Sequence, residues 1–264
     1  MGGRGRLIVA ALIALFAVVS YFGKTSVNPI TGETQRVAMT PEQEVAMGLK
    51  TAPEMAAQMG GLSQNAKARE LVQRVGARLV RSSAAAGTPY RFSFHVLADR
   101  KTVNAFALPG GPIFITEGLL GQLRTEGELA GVLGHEIGHV LARHSSERIA
   151  KQQLTQGLVS AVVIGSGDYT SAQIAQMAGN MINMKYGRED ELESDALGVR
   201  IAFEAGYDPR AMAGVMEILA KASGGGSRQP EFSSTHPAPE NRQARIKEEI
   251  AKRFPSGVPD GLIK

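Results

Sequence analysis

The chain of 264 residues contains no cysteine. This absence excludes disulfide bonds, metal sites built on thiolates and a thiol nucleophile. Any metal ion bound by the protein must therefore use histidine nitrogen or carboxylate oxygen. The absence does not reveal the cellular compartment, because many proteins of the cell envelope also lack cysteine.

Aromatic residues and runs of like charge are also scarce. Aromatic residues make up 5% of the chain, and the formal net charge of +4 is not concentrated in one basic segment. Proteins that bind nucleic acid use basic stripes interleaved with aromatic side chains. A nucleic-acid partner is therefore not expected.

The N-terminus has the layout of an export signal. Arg4 and Arg6 precede an uncharged run at residues 7–22, and Lys24 follows it. The pattern is that of a secretory signal peptide, and an uncleaved membrane anchor fits equally well. A helix of this run covers ~24 Å, less than the ~30 Å hydrocarbon core of a bilayer. We expect residues 1–23 to direct export to the bacterial periplasm or cell envelope, with cleavage left open.

Composition and length predict one domain after this segment. Hydrophobic residues make up 43% and charged residues 20%, as in an ordinary globular protein with ample core. Turn-forming pairs at residues 24–40 predict an exposed linker. We expect residues 41–254 to form a mostly helical α+β domain with a small sheet of three or four strands. Residues 255–264 are expected to form a C-terminal tail.

Periodicity places the elements of this domain. The predicted elements are helices at about 41–50, 65–82, 125–139, 189–205, 209–221 and 239–254, a helical stretch that continues past the 125–139 helix to about Met184, and strands at 90–98, 104–108 and 112–116. The apolar segment 158–164 is too short to span a membrane and predicts a buried part of a helix.

The pentapeptide His135-Glu136-Ile137-Gly138-His139 carries the most specific chemical signal. Two histidines four positions apart on a helix lie on one face and can bind one zinc ion. Glu136 between them can act as a base on a water molecule at the metal. The alternative is a pair of solvated or capping histidines.

A catalytic zinc ion needs three protein ligands and one open position. Without cysteine, the third ligand must be His, Asp or Glu on another helix. Glu191 and Asp195 are one helical turn apart, so Glu191 can bind the metal while Asp195 accepts the second N–H of a ligand histidine and fixes its tautomer. A solvated acidic helix is the alternative, although the segment 196–202 that follows is largely apolar.

In order and spacing these motifs resemble the zinc metallopeptidases that include the CAAX prenyl endopeptidases, the HtpX-like membrane proteases and the BepA-like periplasmic proteases. That family joins a helical His-Glu-x-x-His to a downstream Glu-x-x-x-Asp. The matching segments are residues 103–111, 135–139, 186–188, 191–195 and 236–242. The similarity runs from about residue 40 to 250. Gly187 and Ser194 stand where Ser and Ala are more usual, and neither would touch a ligand.

The resemblance implies a gluzincin-type domain in which the active-site helix packs against a second helix that carries a metal ligand. It implies one zinc ion per chain, held by His135, His139 and Glu191, with Glu136 as general base. Asp195 orients a ligand histidine, and Arg242 is expected, with Asp195, to support the ligands without binding the metal. The chain lacks multiple membrane spans and a repeat domain after the peptidase, so it is expected to be nearer the small members of the cell envelope.

Motif position adds candidates for stabilising the oxyanion, namely His236, Arg242 and Tyr186. His236 could instead close the open position of the metal in a resting state, or be a turn histidine before proline. The segment 104–108 predicts either an edge strand that pairs with extended substrate or an ordinary core strand. The remaining histidines, His95 and His144, are expected to be structural.

The expected function is zinc-dependent hydrolysis of peptide bonds in unfolded or damaged envelope proteins, which is protein quality control. One alternative is a periplasmic chaperone or assembly factor with latent proteolysis. Another is a metal-binding protein without proteolytic activity. The expected partners are unfolded or misfolded envelope proteins, and the membrane if residues 1–23 are retained.

Overall fold

The computed structural model describes residues 3–166, 186–224, 236 and 241–264. Helices dominate, and the two sheets have two and three strands. In chain order the elements are α1 (Gly3–Phe22), β1 (Thr25–Val27), β2 (Thr34–Arg36), α2 (Pro41–Gln58), α3 (Ala66–Arg81), a 3₁₀ turn (Ala84–Gly87), β3 (Ser93–Leu97), β4 (Ala105–Ala107), β5 (Pro112–Thr116), α4 (Glu117–Leu120), α5 (Glu126–Leu141), α6 (His144–Ser166), α7 (Arg188–Glu204), α8 (Ala211–Gly224) and α9 (Arg242–Arg253). The mostly helical α+β fold expected from the sequence is confirmed.

The chain forms two compact units. The first unit takes residues 1–40 and 143–185, and the second takes residues 41–142 and 186–264.

The first unit combines the long helices α1 and α6 with a β-hairpin. Strands β1 and β2 pair antiparallel, with Ser26 opposite Gln35. The buried Asn28 side chain donates to Gln35 Oε1 over 3.0 Å and accepts from the backbone N–H of Ile30 over 2.8 Å. Residues 24–40 are therefore folded, which differs from the exposed linker expected. The turn signals were correct, but strands of three residues are too short to show a period.

Helix α1 is longer than the apolar run that the sequence marked. It begins at Gly3 and has 20 residues, so it is ~30 Å long. By length and composition it is the one helix among the described residues that could cross a membrane.

Helix α6 shows one error in the sequence interpretation. Segment 158–164 was expected to be buried; Val159 and Ala161 are buried, but Leu158, Val162 and Val163 are 39%, 48% and 38% exposed. The helical stretch expected beyond Ser166 to Met184 lies outside the described residues.

The second unit is built on a three-stranded sheet in the order β3-β5-β4. Strand β5 runs parallel to β3 and antiparallel to β4, and all five of its residues are buried. The largely apolar run of β5 suits this central position, because a strand covered on both faces need not alternate. Among the described residues β4 lies at the edge of this sheet, which is the position that the proposed pairing of residues 104–108 with substrate requires.

Helix ends in the second unit follow local capping. The Asn65 side chain accepts from the Ala68 N–H over 3.2 Å and begins α3, as the sequence predicted. Helix α2 instead continues to Gln58 through Pro53, beyond the expected end near Lys50. Helix α9 begins at Arg242, and the expected start at Pro239 lies outside the described residues.

Candidate metal centre

The His-Glu-x-x-His segment lies in the last two turns of α5. Thr125 begins the helix by accepting a hydrogen bond from the Glu128 N–H over 3.1 Å, and acidic residues occupy its first turn. Every residue from Gly127 to Leu141 is buried. His135 and His139 are therefore core side chains, which argues against a solvated histidine pair.

Glycine residues bring α7 against α5. A Cβ atom on Gly138 would lie 3.0 Å from the backbone O of Ser194, and one on Gly198 would lie 3.0 Å from the backbone N of His135. The two helix backbones therefore approach more closely than larger side chains allow. The packing of these two helices was expected from the family resemblance, but the part that glycine plays in it was not, although glycines at 127, 131, 134 and 138 recur at helical spacing.

This approach brings the predicted metal ligands together. His135 Nε2 and His139 Nε2 are 3.0 Å apart. Glu191, on the first turn of α7, places Oε1 3.4 Å from His139 Nε2 and Oε2 3.5 Å from His135 Nε2. All three side chains are buried.

His236 completes a group of four possible donors. Its Nδ1 atom is 2.9 Å from Glu191 Oε1 and 3.4 Å from His135 Nε2. One ligand atom from each of His135, His139, Glu191 and His236 lies within 4.8 Å of the others. The side chain is buried in this cluster, so His236 contacts the other donors even though it lies in a bend before proline.

The spacing of these atoms fits a single metal ion. A tetrahedral ion with bonds of ~2.0–2.1 Å sets its ligand atoms ~3.3 Å apart. Five separations of 2.9–3.5 Å, which involve both oxygens of Glu191, lie near that value, and the four donor atoms all lie within 4.8 Å of one another. Imidazole nitrogen with carboxylate oxygen is a donor set for divalent transition metals, so the residues present suit the group that the motif implies.

Glu136 adjoins the cluster with an unsatisfied carboxylate. Both of its side-chain oxygens are buried, and neither accepts a hydrogen bond from the part of the chain that the structure describes. Oε1 is 3.8 Å from His236 Nε2. Burial raises the pKa of Glu136 above its usual value, which increases the proton affinity of the carboxylate.

Asp195 and Arg242 support the cluster from behind. Asp195 Oδ1 lies 2.9 Å from His135 Nδ1, the contact that the sequence analysis expected. Arg242 donates to Asp195 through Nε at 2.6 Å and through a terminal nitrogen at 2.9 Å. Its other terminal nitrogen is 3.0 Å from Glu191 Oε2. Burial alone would raise the pKa of Asp195, but the Arg242 charge holds it below its usual value.

Two of the oxyanion candidates have other contacts. The Arg242 guanidinium contacts Asp195 and Glu191, and one terminal nitrogen also lies 3.2 and 3.3 Å from the two ring nitrogens of His135. The Tyr186 ring stacks on His139, with ring centroids 4.3 Å apart and planes at 26°. Both side chains therefore pack against the donors, as expected for Arg242 in its supporting role, whereas the stacking of Tyr186 was not expected.

The other histidines lie outside the donor group. His95 Nε2 is 2.9 Å from Ser93 Oγ, and its ring stacks on Phe114 at 4.9 Å. His144 is buried at the first position of α6. Neither belongs to the metal-binding group found among the described residues.

A sequence model described as "Peptidase family M48" matches residues 63–250. The chain belongs to peptidase family M48. The resemblance inferred from the motifs is thereby confirmed, and the M48 match contains every donor of the cluster together with Glu136, Asp195 and Arg242.

Several proteases are similar to the chain. It is 31% identical to the beta-barrel assembly-enhancing protease of Yersinia pestis, over 81% of this chain and 45% of that protein. It is 34% identical to the mitochondrial metalloendopeptidase OMA1 of Schizosaccharomyces pombe, over 67% of this chain and 51% of that protein. It is 30% identical to the metalloprotease YcaL of Escherichia coli, over 62% of this chain and 64% of that protein. The chain thus spans about half the length of the first two relatives.

Proposed function

We propose that the chain is a zinc-dependent endopeptidase. His135, His139 and Glu191 hold one zinc ion, and Glu136 is the general base. The observation that carries this proposal is a buried set of histidine and carboxylate donors, spaced for one tetrahedral ion, beside a buried carboxylate with no hydrogen-bond donor among the described residues. Membership of a peptidase family supports it independently.

Zinc bound at this site supplies a Lewis acid that polarises the substrate carbonyl and acidifies water. Glu136 takes the proton of the water that attacks the carbonyl carbon and delivers it to the leaving amine nitrogen. Its raised pKa suits both transfers, because the carboxylate must accept the proton and then release it. Such positioned proton transfer contributes ~10²–10⁴-fold to a rate.

Asp195 and Arg242 act as positioning residues in this proposal. The Asp195 carboxylate keeps the proton of His135 on Nδ1, so that Nε2 presents its lone pair to the metal. Arg242 fixes both oxygens of Asp195 in turn.

For His236, the contacts favour the interpretation that it closes the fourth position of the metal in a resting state. Its Nδ1 atom stands among the other donors, at 2.9 Å from Glu191 Oε1. His236 would then serve as a further donor in the resting state, and its imidazole could stabilise the oxyanion when it does not hold the metal.

The substrate class follows from an edge strand and from the relatives. Strand β4 packs on α5 and, within the described residues, pairs on one side only, with β5. An extended peptide can add to such an edge through backbone hydrogen bonds without a demanding sequence, which suits unfolded chains. One relative is a beta-barrel assembly-enhancing protease, and α1 has the composition of an export signal or anchor. We therefore assign the activity to unfolded or damaged proteins of the bacterial cell envelope.

Digestion of unfolded casein tests the proposal. The wild type should cut casein at internal bonds, lose activity with a chelator and regain it with zinc. Glu136→Gln should lower the rate by at least ~10²-fold and leave zinc binding intact, because only the proton acceptor is removed. Glu189→Gln is the matched control, since it makes the same change at an exposed position of α7.

Two outcomes would favour the alternatives. If Glu136→Gln fully rescued the phenotype of a deletion strain, the protein would act mainly as a chaperone or assembly factor. Stoichiometric zinc with no cleavage by the wild type would indicate a metal-binding protein without proteolytic activity. Absence of bound zinc would contradict the proposal itself.

A further inference from the structure

Within the first unit, α1 and α6 pack closely through small residues. A Cβ atom on Gly157 would lie 2.5 Å from the Cβ of Ala17, and one on Gly165 would lie 3.3 Å from the Cβ of Ala10. The two contacts run in opposite chain directions, so the helices are antiparallel. Small residues at such a contact let helix backbones approach, a common packing mode inside bilayers.

The outer faces of this pair are apolar and exposed. On α6, Leu158 and Val162 lie one turn apart on one face, Val163 lies ~100° around the helix from Val162, and all three are exposed. On α1 the exposed large apolar residues are Leu7, Ile8, Leu12, Leu15, Phe16, Val19 and Phe22. Ala17 is the one residue of α1 that is buried among the described residues. The exposed apolar surface of α1 is therefore too broad to be covered by one packed helix. The acyl chains of lipids would cover all of it.

Both helices change from apolar to polar at the same level. Lys24, just after α1, donates to Gln153 Oε1 of α6, and the exposed residues Lys151 and Gln152 precede that point. An apolar band that ends in basic and polar groups is the pattern of a bilayer boundary.

Aromatic residues lie at this boundary as well. Tyr21 and Phe22 pack edge to face, with ring centroids 5.6 Å apart. The Arg36 guanidinium lies over both rings, 5.3 and 4.7 Å from their centroids. Aromatic side chains concentrate at membrane–water interfaces, where ring and cation meet headgroups.

We propose that residues 157–166 of α6 lie among the acyl chains of a lipid bilayer, beside an α1 that is retained as an anchor. This part of α6 is ~15 Å long, so it enters one leaflet only. The bilayer covers Leu158, Val162 and Val163, while Lys24, Lys151 and Arg36 face the headgroups. The inference is independent of the proposed peptidase activity.

Depth measurement with single cysteines tests this inference in the full chain, since the natural sequence offers no competing thiol. Val162→Cys and Leu12→Cys are labelled with an environment-sensitive fluorophore and reconstituted into phosphatidylethanolamine–phosphatidylglycerol vesicles. Both labels should be quenched several-fold by lipids that carry a spin label on the acyl chain. Gln152→Cys is the matched control on the exposed polar part of α6 and should not be quenched.

Three results would overturn the inference. A label at position 162 that is as unquenched as the one at 152, and as reactive with a membrane-impermeant maleimide, would place α6 in water. Shielding without lipid quenching, with disulfide crosslinking between two chains of the Val162→Cys variant, would identify a second copy as the cover. An intact mass of the mature chain that lacks α1 would show that the helix is removed. If Val162→Cys does not fold, Val163→Cys carries the same test.

Discussion

At the scale of single residues, Asp195 links the donor cluster to the support behind it. It accepts from His135 Nδ1 and receives two hydrogen bonds from Arg242. Arg242 also contacts Glu191 Oε2. One buried ion pair thus holds two of the proposed ligands, on two different helices, in a fixed relation. Asp195 and Arg242 therefore orient the proposed metal ligands and do not contact substrate themselves.

Asp195→Asn should therefore weaken zinc binding by ~10–100-fold, the range found when a residue that orients a metal ligand is changed. The asparagine can still accept from His135, but it no longer balances the Arg242 charge. Competition with a chromogenic chelator measures the affinity, and casein digestion at saturating zinc should recover part of the activity. Glu189→Gln on the same helix is the control, and equal affinity in Asp195→Asn and wild type would contradict a positioning role.

The sequence predicts which of these residues lie close together, but it does not predict how all of their side chains are oriented. Helical spacing puts His135 with His139, and Glu191 with Asp195, on common faces, so their proximity could be anticipated. The direction of the Arg242 guanidinium and the stacking of Tyr186 on His139 could not. Both depend on how distant segments pack, and no local period encodes that.

At the scale of helices and strands, the close crossing of α5 and α7 sets the position of the proposed third ligand. Gly138 and Gly198 lie at the contact, each with backbone of the other helix ~3 Å from where a Cβ would stand. Glu191 lies about one helical turn before this crossing on α7. A side chain at the contact would push α7 outward and move Glu191 away from the histidines.

Gly138→Ala should consequently reduce zinc affinity and peptidase activity more than it reduces stability. The new Cβ would lie 3.0 Å from the backbone O of Ser194, which cannot rotate away. Gly131→Ala is the matched control on the same helix, because its Cβ would meet Met212 at ordinary contact distances of 3.4 Å or more. Zinc titration and thermal unfolding of both variants measure the two effects. Wild-type affinity in Gly138→Ala would show that α7 tolerates the shift.

Element boundaries were predictable where capping residues or long periods mark them. Asn65 begins α3 and Thr125 precedes α5, each with a side-chain hydrogen bond to the first turn. The hairpin of β1 and β2 and the exposed face of α6 were not predicted. Strands of three residues are too short to show a hydrophobic period. An apolar helix segment has the same sequence pattern whether protein or lipid covers it.

At the scale of the whole molecule, the donor cluster joins parts of the second unit that are far apart in the chain. His135, Glu191 and His236 are separated by 56 and 45 residues. The cluster also concentrates three histidines with Glu136, Glu191, Asp195 and Arg242 in buried positions. Buried charge without a compensating cation is costly, so a bound metal should stabilise the folded second unit as well as enable chemistry.

Chelation should therefore lower the thermal stability of the protein. A metal held at ~1,000 times its dissociation constant stabilises the folded state by ~4 kcal/mol. For a domain of ~150–250 residues this corresponds to a melting temperature lower by ~8–16 °C after zinc is removed. Differential scanning calorimetry with chelator, and again after zinc is restored, measures the shift. His95→Gln should keep the full shift because His95 lies outside the cluster, whereas Glu191→Gln should lose most of it. A melting temperature that does not respond to chelator in the zinc-loaded wild type would show that the cluster is stable without a metal ion.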